Sequence, residues 1–277
     1  MNDKFLLRVW GARGSIPSPG PKTIKYGGNT SCLEVRCGDE LIIIDAGSGI
    51  RELGFFLLKE QPIKASILFS HFHWDHIQGF PFFVPGFQSG NIFTLYGESK
   101  LNYSFEKLMA GQMIYPHFPV TLKDMAAEMT FIELTGRDVF NIGEVEVKTF
   151  RTNHPDGCVA YRLDYKGRSI LYATDTEHYS CVDPNLKRGA QNVDCLIYDA
   201  NYTDEEYCGK VGFPRTGWGH STWSAGIKLA KASSAKQLIL WHHDHAHEDS
   251  FIEKIEKEAQ IEFVNTIAAR EGLEIIL

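Results

Sequence analysis

Ile67-Leu-Phe-Ser-His71-Phe-His73-Trp-Asp75-His76 ends a short apolar run, Ala65 to Phe69, that reads as a buried strand stopping at Ser70. Three histidines and an aspartate then follow within six residues. Just past a strand end the backbone is irregular, so neighbouring side chains need not alternate between faces. His71 and His73 can converge on one cation, while Asp75 and His76 lie close enough to serve a second. Neutral imidazole suits Zn, Fe, Ni or Cu, and a carboxylate adds a harder oxygen ligand. The bland alternative is a histidine-rich surface turn. So many ligand types directly behind a buried strand weigh against it.

The rest of the chain sets the frame for this stretch. Its 277 residues suffice for one large domain or two small ones, and 43% hydrophobic with 23% charged residues is ordinary for a globular protein. A net charge of −7 argues mildly against a surface that wraps nucleic acid, which needs a clustered basic face. No apolar run approaches the ~20 residues that cross a bilayer, so no membrane partner is expected. The opening Met-Asn-Asp-Lys-Phe-Leu-Leu-Arg8 lacks a signal-peptide apolar region, and the six cysteines contain no Cys-x-x-Cys pair. The expectation is a cytoplasmic protein with reduced, mostly structural cysteines.

Before the signature, Lys4 to Trp10, Cys32 to Arg36 and Leu41 to Asp45 read as an antiparallel meander, with a breaker-dense loop at 11–21. Ile50 to Lys59 has helical spacing. Residues 77–125 are the least regular, with four prolines and many aromatics; Ser104 to Met113 is the one helix expected there. These aromatics fit either core filling or the wall of a substrate cleft. Strand patterns return at 129–134, 145–151, 158–164, 168–173, 194–199 and 237–241. Two helices are expected near the end. One is capped by Ser221-Thr222. The other is capped by Asp249-Ser250 and carries Ile252, Ile255, Ala259, Phe263 and Ile267 on one face. Strands followed by a helix, twice over, suggest two mixed sheets packed face to face with helices outside. The spacing shows no βαβ periodicity and no glycine-rich phosphate loop.

A two-cation site needs more donors, also at strand ends. His154 follows the run 145–151, Asp175 follows 168–173, and His242 follows 237–241. Each is the first good ligand after an apolar run, the same context as His71. Singly each would read as a solvated loop residue; their recurrence reverses that.

This order, together with Thr174-Asp175-Thr176, Tyr198-Asp199-Ala200-Asn201 and Gly219-His220-Ser221-Thr222, resembles the metallo-β-lactamase superfamily. Within it the pattern is similar to the phosphodiesterase branch of tRNase Z and the cyclic-phosphodiesterase enzymes. The resemblance implies an α+β fold, a four-layer αββα sandwich, here one domain over 1–277 with an aromatic, proline-rich elaboration at about 80–128. It implies two divalent metal ions, Zn by default with Mn or Fe as alternatives, and a hydroxide bridging them as nucleophile. It assigns His71, His73 and His154 to one metal, Asp75, His76 and His242 to the other, and Asp175 to both. His220 becomes the candidate for protonating the leaving oxygen, with Asp199 orienting it, and Asp75 belongs to the catalytic group. Asp45 is expected to support the metal loop from behind. His243 is the rival of His242. His245 and His247 are expected to be supporting or surface residues, His178 to face the pocket, and His117 to be ordinary.

Departures from the pattern narrow the function. The interval 154–175 is too short for the tRNA-binding arm of tRNase Z, and loop 11–30 lacks the cysteines of the phosphonate-pathway enzyme. β-Lactamases lack the Gly-His-Ser-Thr histidine, glyoxalase-type thioesterases lack the 219–222 segment, and flavodiiron proteins replace the second histidine, present here as His73. The expected substrate is a small phosphodiester, a cyclic nucleotide or cyclic ribose phosphate. The alternative is a carbon-ester, lactone or thioester hydrolase on the same site, with tRNA 3′-processing less favoured. A non-catalytic sensor would have damaged ligands, and none is missing. Arg13 and Arg215 are candidate phosphate binders, and aromatics of the insert could stack on a base or bury a homodimer contact.

Overall fold

A computed structural model describes residues 4–277. Met1 to Asp3, part of both the opening segment and the expected 1–277 domain, lie outside the described residues. The strands are β1 (Phe5–Gly11), β2 (Cys32–Cys37), β3 (Glu40–Ile44), β4 (Lys64–Leu68), β5 (Ile92–Glu98), β6 (Glu128–Leu134), β7 (Val139–Ile142), β8 (Val145–Thr152), β9 (Cys158–Tyr165), β10 (Arg168–Ala173), β11 (Cys195–Asp199), β12 (Gln237–Trp241), β13 (Thr266–Ala268) and β14 (Glu274–Ile276). The helices are α1 (Ile50–Leu57), α2 (Trp74–Ile77), α3 (Phe105–Gly111), α4 (Pro184–Gly189), α5 (Asp204–Tyr207), α6 (Trp223–Ser233) and α7 (Asp249–Glu262). One sheet runs β14-β1-β2-β3-β4-β5-β6 and the other β13-β12-β11-β10-β9-β8-β7.

The burial pattern explains the layers. In β3, Ile42 and Ile44 join Val35, Tyr161, Ile170 and Trp241 in a core between the sheets. Ile43, on the opposite face, packs under Ile50, Leu53, Phe105 and Met109 of α1 and α3. On the second sheet, Leu171, Leu196 and Leu238 pack outward against Leu186, Ile227 and Ile255 of α4, α6 and α7. Each sheet therefore has both faces covered, giving the expected four-layer αββα sandwich, with helices outside two mixed sheets.

Four expectations need correction. The chain does contain βαβ units: β3, β4, β5 and β6 are parallel neighbours in order, as are β10, β11, β12 and β13. The unbroken apolar runs at 41–44, 65–69 and 238–241 are what strands buried on both faces look like, and such runs carry no alternation to reveal their direction. Residues 80–128 are in part sheet, because β5 sits between β4 and β6. Its Ile-Phe-Thr-Leu-Tyr core is strand-like, and the surrounding prolines and aromatics hid it. The last helix stops at Glu262, and Ile267 belongs to β13 instead. Finally, Asp249 does not cap α7; Glu248 occupies that position without a side-chain bond, and the Asp249 carboxylate accepts the amides of Lys25 and Tyr26. Thr222 does cap α6, accepting from the Ala225 amide.

Candidate metal centre

The sandwich brings the ends of β3, β4, β8, β10 and β12 to one edge, and the chain turns sharply there. Asp45, Asp175 and His242 follow β3, β10 and β12 and adopt φ of 62°, 48° and 61°. Left-handed backbone is uncommon for residues other than glycine, and such strain collects at functional sites. Here it swings three polar side chains inward at the point where the apolar runs stop. Space for this is made by glycine: a Cβ at Gly14 would lie 2.4 Å from His242 Nδ1, and one at Gly219, where φ is 86°, 2.3 Å from His154 Nδ1.

All seven expected ligands meet. His71, His73, His154 and Asp175 form one group and Asp75, His76, Asp175 and His242 another, with donor atoms in each within 4.8 Å of one another. Asp175 divides its two oxygens between them. Oδ2 lies 3.5 Å from His71 Nε2 and 3.7 Å from His154 Nε2, while Oδ1 lies 3.3 Å from His76 Nε2 and 3.4 Å from His242 Nε2. Asp75 Oδ2 is 3.0 Å from His242 Nε2, and His73 Nδ1 is 3.0 Å from His154 Nε2.

The groups behind them prepare these atoms for a cation. His76 Nδ1 pairs with Asp45 Oδ2 at 2.8 Å, and His154 Nδ1 donates to the Gly219 carbonyl at 2.8 Å, so each ring is fixed with its Nε2 turned inward. Asp45 is itself held by the Ser70 amide and hydroxyl and by the Tyr172 hydroxyl. His71 Nε2 is buried without any hydrogen-bond partner. A buried polar atom is costly to leave unpaired, and a buried imidazole nitrogen facing a carboxylate oxygen 3.5 Å away is a donor arrangement that suits a cation. The donor set of imidazoles and carboxylates therefore fits divalent metal.

Electrostatics agree. Burial, with the neighbouring His76, keeps the His71 imidazole neutral well below its ordinary range, and burial lowers His154 to about 4. Burial alone would push the Asp75 and Asp175 carboxyls up. The surrounding histidines, His76 and His242 foremost, outweigh it and hold both far below the usual range. Burial would likewise lower His76, yet Asp175, Asp75 and Asp45 raise it well above 6.5. The group of His71, His73, His154 and Asp175 thus combines imidazoles held toward the neutral form with an ionised carboxylate, the protonation that metal binding requires.

Beside it, His220 Nδ1 bonds Asp199 Oδ2 at 2.9 Å and lies 3.9 Å from Asp175 Oδ2. Burial lowers this imidazole, but Asp199, then Asp175 and Asp75, lift it to about 9. Asp199 is locked by the amides of Ser221, Asn201 and Thr176. A third grouping of donor atoms, Asp175, Asp199, His220 and His242, also lies within 4.8 Å.

None of the other singled-out residues belongs to the two donor groups. Arg13 is no phosphate binder: it is 1% exposed, and its guanidinium donates to the carbonyls of Gly27, Asp244 and His247. Arg215 is spent on Asp244 at 2.7 Å and stacked on Tyr202. His243 turns away from the cluster and donates to the Ala269 carbonyl. His247 is buried against Glu206, His245 is exposed beside Asp244, and His117 is exposed. His178 bonds Ser221 Oγ and stacks on Tyr207.

Three residues were given no role in the sequence, although Asn201 lies in a quoted motif. The Ser15 amide donates to Asp75 Oδ2 at 2.7 Å, and Asn201 Nδ2 donates to the His242 carbonyl at 2.9 Å. Glu177, 1% exposed, accepts the Gly217 amide at 2.7 Å, the Gly219 amide at 3.0 Å and the Tyr207 hydroxyl at 2.6 Å. It anchors the turn that carries both the carbonyl bonded to His154 and His220. Its place two residues after Asp175 was the available signal.

An open cavity of about 400 Å³ lies over the cluster, lined by Ser15, Phe72, His73, Trp74, Asp175 and His220. With this geometry in view, similarity to known proteins has a structural meaning. The family model described as the beta-lactamase superfamily domain matches residues 41–243. Ribonuclease Z of Bacillus subtilis (strain 168) is 24% identical over 253 residues, covering 76% of this chain and 80% of its own. The probable metallo-hydrolase YhfI of the same organism is 24% identical, covering 86% and 87%. Among solved structures, YhfI from Bacillus subtilis superposes with a TM-score of 0.75 at 20% identity, covering 99% of this chain and 100% of its own. A diphosphatase from the PhnP family gives 0.68 at 19%, covering 98% and 97%.

Proposed function

The chain belongs to the beta-lactamase superfamily, and from that premise we propose that it is a metal-dependent phosphodiesterase acting on a small phosphodiester such as a cyclic nucleotide or cyclic ribose phosphate. The ribonuclease and diphosphatase among its relatives support phosphate-ester chemistry. The observation that carries the reading is the division of Asp175's two oxygens between two imidazole groups beside the His220–Asp199 pair.

His71, His73 and His154 would hold one divalent ion, Asp75, His76 and His242 the other, and Asp175 both, with Zn the first choice and Mn or Fe able to use the same donors. Two such ions supply Lewis acidity and acidified water for an in-line displacement. The chain's own residues supply the rest. Ser15 and Asn201 fix Asp75 and His242 from behind. His220 keeps its Nδ1 proton on Asp199 and lines the cavity, which leaves Nε2 to deliver a proton to the departing oxygen. Its elevated proton affinity, near 9, suits an acid at neutral pH.

Between His154 and Asp175 the chain holds only β9, a turn at Lys166-Gly167 and β10. A substrate arm in that interval is therefore absent, which favours a small substrate over tRNA. No helix among the described residues is long and apolar enough to cross a membrane, and the six cysteines are unpaired. Both facts suit the cytoplasm, and we place one domain over the whole chain.

The test is metal content together with hydrolysis of 3′,5′- and 2′,3′-cyclic nucleotides, bis-p-nitrophenyl phosphate, a lactone and a thioester. Two metals per chain with diester turnover are expected. Turnover confined to the lactone or thioester would move the chain to carbon-ester chemistry, and less than one metal with no turnover would overturn the site itself.

A further inference from the structure

The space over the cluster has two lobes. The first, about 400 Å³, runs past Trp74, Ser15 and His220. The second, about 480 Å³, opens between Phe72, Leu101, Leu108 and Lys100. Phe72 and His73 line both, so a group seated at the cluster faces one lobe on either side. Apart from the ligands, Phe72, Trp74, Leu101 and Leu108 make the apolar part of the walls, beside Ser15, Lys100 and the exposed Asp156, and two of the apolar side chains stand in solvent: Leu101 is 88% exposed and Trp74 80%.

The cations near these walls are already engaged. Lys100 directs its ammonium to the carbonyl of Asp156 at 2.6 Å, that of Gly157 at 3.2 Å and Glu98 Oε2 at 3.3 Å, three acceptors for its three protons. His220 is paired with Asp199. Arg13 and Arg215, the arginines that looked available in the sequence, are tied to carbonyls and to Asp244. Apart from the cluster itself and the Nε2 of His220, neither wall offers a side-chain cation free of a partner, so a second negative charge carried out along either lobe would go unmatched.

Exposed apolar side chains flanking a polar centre mark a place where ligand area is buried. Resting on the phosphodiesterase reading, we propose that the substrate is a singly charged phosphodiester carrying an aromatic or aliphatic group that occupies the lobe over Phe72, Leu101 and Leu108, which in a cyclic nucleotide is the base. This separates a diester with an apolar or planar arm from a bare cyclic sugar phosphate, which would leave the second lobe's apolar wall wet.

The experiment compares diphenyl phosphate with dimethyl phosphate, binding to the metal-loaded protein by calorimetry. Alongside it, KM is measured for bis-p-nitrophenyl phosphate and methyl p-nitrophenyl phosphate. One aryl group buried in the second lobe should favour the aryl member of each pair at least about tenfold. Leu101→Ala, at a side chain too exposed to matter for folding, should bring both ratios to within about threefold of unity, and p-nitrophenyl phosphate should be at least about a hundredfold poorer than the diesters in kcat/KM. Equal binding of the two diesters by the wild type, an unchanged ratio in both Leu101→Ala and Trp74→Ala, or a preferred monoester would overturn the proposal. Should neither diester be hydrolysed while diphenyl phosphate still binds preferentially through Leu101, the reaction assigned above fails and the two-lobed, single-charge site stands.

Discussion

Replacing Glu177 by Gln removes one charge and one acceptor from a carboxylate that touches no candidate ligand. Its Oε1 takes the Gly217 amide and the Tyr207 hydroxyl, and its Oε2 takes the Gly219 amide. A glutamine can serve only one of these two sides, so its amide nitrogen must face a backbone N–H or the hydroxyl. The loss of one charge-assisted bond, with a buried donor left unpaired, costs roughly 2–4 kcal/mol. That corresponds to a melting temperature lower by roughly 5–15 °C at about 2–4 °C per kcal/mol. The turn relieves the clash by moving Gly217 or Gly219, and a shift of that segment withdraws the Gly219 carbonyl from His154 Nδ1 and displaces His220. A misplacement of about 1 Å in a positioning group can cost up to ~10² in rate. The expected result is kcat on the best diester about 10–100-fold lower, KM changed less than about threefold, and less metal retained after dialysis than in the wild type. Glu177→Gln with metal retention and kcat both within about twofold of wild type would refute the reasoning, even if its melting temperature fell, because the turn would then be held by other contacts.

Other perturbations separate the remaining roles. Gly14→Ala puts a Cβ 2.4 Å from His242 Nδ1; a loss of roughly 1–3 kcal/mol, with diminished metal content, is expected from melts and metal analysis, and a wild-type metal count would exclude the crowding argument. Asp175→Ala should abolish turnover and lower metal content, since both groups share that carboxylate. His220→Ala should keep its metal and lose ~10²–10⁴ in rate, so that wild-type rates would remove His220 from the mechanism. Away from the site, burial would raise the Glu206 carboxyl, but the bond to His247 and the Thr203 amide hold it at about 2 against an ordinary 4.5. A carboxyl depressed in the folded state stabilises fully above its ordinary value and loses that contribution as pH falls from about 4.5 toward 2. The gap in urea midpoint between wild type and Glu206→Gln should therefore narrow from pH 7 to pH 3; a gap independent of pH would show that the ionised form is not what matters.

Four of the candidate ligands were legible because each comes just after an apolar run. His71, His154, Asp175 and His242 stand at strand ends, where a buried backbone must emerge and a polar side chain needs a reason to stay inside. The covering of both sheets was legible too, from strands followed by a helix, twice over along the chain. Strand direction was not, because a strand buried on both faces carries no alternation and its partners lie far away in sequence. Strand β5 was obscured by its proline- and aromatic-rich surroundings, and the reach of α7 was overestimated because Ile267 fits the helical spacing by coincidence.

By itself, then, the sequence determined the layers and the chemical kind of the site: which side chains can give electrons to a cation, and that they cluster at strand ends. Only the tertiary structure decided which charges are available. Arg13 and Arg215 look alike on paper as phosphate binders, yet one is enclosed by carbonyls and the other is paired with Asp244. His243 sits next to His242 and faces the opposite way. Glu177 resembles any acidic residue until Gly217, Gly219 and Tyr207 converge on it. A residue's type fixes what it can donate or accept, but its partners come from segments tens to hundreds of residues away, and only the packed fold brings them within hydrogen-bonding distance.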